Sequence, residues 1–154
     1  MNEAYLERLE ERATAGTVRE ASLLDIPALV GLLAADIAEE WHATPLASVL
    51  VDTLRGLLEN PASVVLVAGS YEGLLICHTS EQYPGGPLCA NVCTLYVVPE
   101  RRTSRLALQL VNHGIGWARE RGAKHAQLWQ RGKLPSVYNG LGFEAVETAY
   151  EVTL

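Results

Sequence analysis

The chain has 154 residues, 49% of them apolar and 19% charged, which suits one domain with a full hydrophobic core. That balance excludes a disordered chain, a collagen-like chain and a small disulfide scaffold. The net charge of −6 is unevenly spread: residues 1–100 carry fourteen acidic and four basic side chains, whereas residues 101–133 carry eight basic ones against Glu120 alone. An acidic protein with one concentrated basic segment points to a local anion site, not to a nucleic-acid surface.

The chain opens with a charged helical pattern at residues 2–13, placing Tyr5, Leu6 and Leu9 on one side, and Gly16 separates it as an arm (residues 1–16) from the domain at 17–154. The acidic start has no apolar core of a secretory signal, so a cytoplasmic location is expected. Residues 17–21 read as a strand. Ser22-Leu23-Leu24-Asp25 then resembles a capping box, and Ile26, Leu29, Val30, Leu33, Ile37 and Trp41 recur at helical spacing. The apolar stretch at 26–38 is too short to span a bilayer. A second helix is expected from about Pro45 until Asn60-Pro61 stops it.

From Ser63 the period changes. Residues 63–68 are an apolar, β-branched run, Gly69 to Gly73 turn the chain, and residues 74–80 return it as a hairpin. A loop of strong punctuators at 83–87 leads to a third strand at 89–98. A basic helix is expected over 102–121, ending at Gly122, then a strand at 126–129, a short helix at 135–141 and a final strand at 144–154. The resulting order, β-α-α-β-β-β-α-β-α-β, is α+β: a mixed sheet with helices on its faces.

Cys77, Cys89 and Cys93 all fall in strand-like runs, and buried free thiols are the expected state. A zinc site built from Cys89, Cys93 and His78 is the sharper alternative. Residues four apart on a strand lie ~13 Å from each other, however, too far for two thiolates that each need a metal at ~2.3 Å. Among the other conspicuous side chains, Trp117 and Trp129 read as core, Trp41 as either core or a ligand platform, and His113 and His125 as structural or exposed.

The strand at 95–99 runs into the start of the basic helix, where backbone N–H groups lack helical acceptors and the dipole is positive. A phosphate or diphosphate is the natural occupant, with Arg101, Arg102 and Arg105 beside it.

Here the strand "LYVVP", the turn "RRTSRLA" and the late "VYNGLGF" together resemble the GCN5-related N-acetyltransferase (GNAT) family, in order and spacing, over about residues 17–154. The family's pyrophosphate loop, Q/R-x-x-G-x-G/A, falls on Arg102, Thr103, Ser104, Arg105, Leu106 and Ala107. Arg102 and Ala107 match, and Arg105 stands where glycine is usual. Glycine permits close approach of the backbone to a diphosphate, whereas arginine offers a charge-assisted contact of its own. The arginine-containing form "RRTSRLALQL" looks like a loop of bacteriophage-type members. The asparagine that many members place seven residues before the motif tyrosine falls on Arg131.

The resemblance implies a mixed sheet of about six strands flanked by about four helices. It also implies acetyl-CoA as co-substrate, no metal, and transfer of acetyl to an amine of a small molecule or protein by direct attack in a ternary complex. Leu95, Tyr96 and Val97 match the strand that pairs with the pantetheine arm, and residues 102–107 match the pyrophosphate loop. Tyr138 matches the tyrosine that protonates the departing sulfur; read by itself it would pack a short helix on the sheet. The base is expected from Glu81, with His78, Glu39, Glu40 and His42 as other candidates. No nucleic-acid or membrane partner is expected, and a homodimer is compatible with the family. A GNAT-fold module that binds acyl-CoA without turnover, or serves a structural role, is the alternative that Arg105, Arg131 and the charged arm motivate. An anion- or nucleotide-binding regulator using the same helix end is a weaker option.

Overall fold

In a computed structural model the chain is described over residues 17–102, 105–129, 141–146 and 149–154. The elements are β1 (Val18–Glu20), α1 (Ile26–Trp41), α2 (Ala47–Glu59), β2 (Ser63–Ala68), β3 (Gly73–Glu81), β4 (Leu88–Val97), α3 (Leu106–Glu120) and β5 (His125–Leu128). Single 3-10 turns, Leu23–Asp25 and Pro99–Arg101, precede α1 and follow β4. The sheet order is β1-β2-β3-β4-β5, antiparallel throughout except for the parallel β4–β5 pair. This is the expected mixed α+β layout, with five strands and three helices among the described residues.

The strand period sorts the apolar residues onto two faces. Val64, Leu66, Leu75, Cys77, Ala90 and Val92 face α3, where they meet Leu106, Leu110, Val111 and Trp117. The alternate residues Val65, Val67, Leu74, Ile76 and Tyr96 face α1 and α2 and meet Leu29, Leu33, Leu50 and Leu54. Both faces of β2 and β3 are therefore covered, which is why their sequences read as continuous apolar runs. Gly73 lies where this packing is tightest: a Cβ there would come 2.9 Å from Leu110 Cδ1 and 3.3 Å from the Tyr96 carbonyl oxygen. Gly73→Ala should cost about 1–3 kcal/mol, read as a lower urea midpoint with an unchanged slope.

Local chemistry sets the helix ends. The Ser22 N–H donates to Asp25 Oδ2 at 2.7 Å, as the capping pattern anticipates, and Pro27 occupies the first turn of α1. At the end of α3, Gly122 (φ +87°) donates to the Arg119 carbonyl at 3.0 Å and Ala123 to that of Ala118 at 3.1 Å, the paired closure that a left-handed glycine permits.

Several expectations need correction. The basic helix begins at Leu106, not Arg102, because the turn at Pro99–Arg101 continues only as far as an Arg102 N–H bond to the Pro99 carbonyl (3.3 Å). The first residue of α3 is instead the buried Leu106, which packs against the sheet. No strand forms at 144–146 or 149–154. The alternation there lacks a ladder partner among the described residues, and Val146, Tyr150 and Val152 stay exposed. Trp129 is 59% exposed and not in the core, since it lies just beyond the last residue of β5. Cys93 is exposed, unlike Cys77 and Cys89. The arm at 1–16 and the expected helix at 135–140 lie outside the described residues. Among the described residues no helix is long and apolar enough to cross a membrane.

Candidate functional site

The site follows from a mismatch in strand lengths. β4 pairs with β3 from Leu88 opposite Glu81 to Val97 opposite Gly73, with one register shift between Ile76 and Cys77. Its parallel pairing with β5 stops at Val92 opposite Leu128. Past Val92 the β5-side edge of β4 carries no strand among the described residues, and its backbone groups face a slot that no described strand fills. The Val97 carbonyl projects to that side, where Arg102 Nε donates to it at 2.9 Å. Alternation turns the groups of Leu95 to the same edge and those of Tyr96 toward β3.

The slot leads toward the N-terminus of α3. The Gln109 N–H bonds to the Arg105 carbonyl at 3.0 Å in the first turn of α3, the end at which the helix dipole is positive. Arg105 takes φ −87° and ψ 11°, a conformation open to any L-residue, and its side chain is exposed. The arginine that replaces the usual glycine is therefore accommodated without backbone strain. Leu95, Tyr96, Val97, Arg102, Arg105, Leu106 and Ala107 are thus brought to one end of the sheet. Thr103, Ser104 and Tyr138 lie outside the described residues.

Arg102 has partners within the chain. Its two terminal nitrogens donate to Glu39 Oε1 and Oε2, both at 2.6 Å, and its guanidinium carbon stands 5.5 Å from the centre of the Tyr96 ring. The bidentate hydrogen bonds hold the Glu39 carboxyl below its usual range. Arg102 consequently braces the end of α1 against the end of β4. Arg101 makes a similar tie, pairing with Glu72 at 2.7 Å.

The base candidates do not converge. The Glu81 carboxylate accepts the Gly85 N–H at 3.0 Å and closes the loop between β3 and β4. Its opposite residue, Leu88, is about 17 Å along β4 from Cys93. Glu39 is engaged by Arg102, and Glu40 and His42 are exposed at the end of α1. Asp36, which sequence reasoning passed over, is half-buried on α1 one turn before Glu39 and Glu40. Burial pushes its carboxyl up to about 6, the neighbouring Glu40 and Glu39 charges add to this, and Arg102 opposes it. Nothing in its sequence context marks it, because its burial depends on α1 lying against the sheet.

A cavity of about 650 Å³ opens elsewhere, between β5, the C-terminal half of α3 and residues 141–146, lined in part by Ile115, Leu128, Trp129 and Phe143. It includes none of the residues gathered at the β4 slot.

No family model matches the sequence, and no curated protein matches it. Solved structures do match. A transcriptional regulator from Bacillus halodurans C-125 is 24% identical with a TM-score of 0.77, the match covering 90% of this chain and 99% of that one. A predicted acetyltransferase from Clostridium acetobutylicum with acetyl-CoA is 17% identical (TM-score 0.75, covering 89% and 95%). AAC(6')-Iy in complex with the bisubstrate analogue CoA-S-monomethyl-acetylneamine is also 17% identical (TM-score 0.74, covering 90% and 97%). The fold of this chain is that of the GNAT acetyltransferases.

Proposed function

We propose that the chain is a GNAT-family N-acetyltransferase that moves acetyl from acetyl-CoA to an amine by direct attack in a ternary complex. The observation that carries this reading is the β4 edge past Val92, which carries no strand among the described residues, leading to the positive start of α3. An extended pantetheine arm needs a strand edge to pair with, and a diphosphate needs N–H donors and positive potential at its far end. Solved structures of the same fold include one with acetyl-CoA and one with a CoA bisubstrate analogue, which supports the assignment.

In this reading Leu95 pairs with the arm through its backbone, and Val97 and Tyr96 shape the slot. The positive end of α3, with Arg105 and the hydroxyls of Thr103 and Ser104, holds the diphosphate. Arg102 acts chiefly by bracing α1 to β4, since its guanidinium is already engaged. The acceptor amine arrives protonated and must lose a proton before attack. Asp36 serves that step: burial raises its carboxyl to about 6, and it lies on the braced helix. Tyr138, by its place in "VYNGLGF", donates the proton to the departing sulfur. The acceptor is a small-molecule or protein amine. The test is calorimetric titration with acetyl-CoA, followed by CoA-thiol release across a panel of primary amines. Saturable binding with release on at least one amine is expected; binding without release on any would make the chain a silent acyl-CoA-binding module.

A further inference from the structure

β4 carries one residue more than its partner. Ile76 pairs with Thr94 and Cys77 with Val92, so Cys93 has no opposite number on β3. Such a bulge re-aims a side chain and bends the strand. It falls immediately after Val92, where β4 and β5 part. Cys93 is exposed there, and its Sγ lies 2.9 Å from Nδ1 of the half-buried His78 on β3. The other two thiols are buried, and burial pushes Cys77 up to about 12, which leaves it inert. Among the described residues no group of three metal-ligating side chains forms, so Cys93 and His78 meet as a pair. A thiol and an imidazole within hydrogen-bonding distance are the elements of an activated nucleophile.

We propose that Cys93 and His78 form an acyl-accepting dyad that takes the acyl group from a bound acyl-CoA thioester when no amine is present. The inference rests on the acetyl-CoA reading above. Cys93 lies four residues before Val97, ~13 Å along the stretch of β4 that an extended pantetheine arm would follow. In this proposal the acyl end of the arm comes to that sulfur. Partial desolvation raises the Cys93 thiol, so the sulfur keeps its proton until the thioester approaches and the imidazole takes it. In the exchange, His78 Nδ1 accepts the thiol proton and Sγ bonds to the acyl carbon. The bond from that carbon to the CoA sulfur breaks, and the sulfur leaves with its electron pair and takes the proton from His78. One thioester is consumed and one formed, with no oxidant or further reactant.

The experiment incubates the full chain with acetyl-CoA and no amine, followed by intact mass, peptide mapping and neutral hydroxylamine treatment, with calorimetric binding measured in parallel. One acetyl group on Cys93, removed by hydroxylamine and absent in Cys93→Ser, is expected. In His78→Ala its formation should slow by about 100-fold or more. If acetyl-CoA binds and Cys93 stays unmodified, the dyad is overturned and the acetyltransferase reading stands. If acetyl-CoA does not bind, both fall. If Cys93 is acetylated as fast in His78→Ala as in the parent chain, the sulfur reacts without its partner and the dyad is again overturned.

Discussion

Asp36→Asn should lower amine-dependent CoA release by about 100-fold or more and, at the same time, make the protein more stable at neutral pH. The two effects share one cause. Asp36 is half-buried on α1, on the helix face where Glu39 grips Arg102 and Arg102 in turn holds the Val97 carbonyl. Burial first, then the Glu40 and Glu39 charges, raise its carboxyl from 3.8 to about 6. A group whose folded value lies above its unfolded one binds its proton more tightly in the native state. Stability is therefore lost as pH rises from about 4 through about 6 and does not return above that. Asparagine carries no charge and escapes the penalty, a gain of about 1 kcal/mol after allowance for solvent screening. The same substitution removes the base, so kcat/KM of the parent chain should rise through pH 6 and that limb should vanish in the variant. Melting temperatures at pH 4 to 8 and steady-state rates over the same range check both. An Asp36→Asn variant with full activity would return the base role to another carboxylate or to water.

Arg19→Met should destabilise the fold by about 3 kcal/mol, the low end for stripping one partner from a buried ion pair, because Arg19 itself is half exposed. Asp25 is 4% exposed and its carboxylate accepts hydrogen bonds from three residues at once. Arg19 donates to both carboxylate oxygens at 2.8 Å, the Tyr71 hydroxyl donates to Oδ1 at 2.6 Å, and the Ser22 N–H to Oδ2 at 2.7 Å. The cluster ties β1, the start of α1 and the β2–β3 turn together. These donors, the guanidinium foremost, hold the Asp25 carboxyl far below its ordinary value. Its contribution is accordingly complete above about pH 4 and lost as pH falls below that. Urea unfolding at pH 7 and pH 3 should show the parent chain losing more stability on acidification than Arg19→Met does. Equal acid slopes in the two would mean that the carboxylate draws little from the arginine.

How far the sequence foretold these features depends on the range of the interactions involved. β2, the turn after it, the Ser22–Asp25 capping of the turn that leads into α1, and the glycine closure of α3 rest on neighbours within a few residues, and all were readable. Leu95, Tyr96 and Val97 were readable as a strand entering a basic turn. What the sequence did not disclose is which long-range partner each side chain finds. Arg102 looked like a free cation, yet it meets Glu39, sixty-three residues away. Asp36 has no local mark and becomes half-buried only once α1 is laid on the sheet. His78 and Cys93 meet only because the strand register slips by one residue at Ile76 and Cys77, a shift that no local pattern encodes. The run at 144–154 failed in the opposite sense, since alternation specifies a face but not the existence of an edge to pair with.

The most direct measurement is calorimetric titration of the full chain with acetyl-CoA, repeated in the presence of adenosine 3′,5′-bisphosphate. One saturable site per chain, weakened by the competing nucleotide, is the result expected if the open edge of β4 and the start of α3 together hold the donor. Absence of heat at millimolar acetyl-CoA, with no shift in melting temperature, would contradict it.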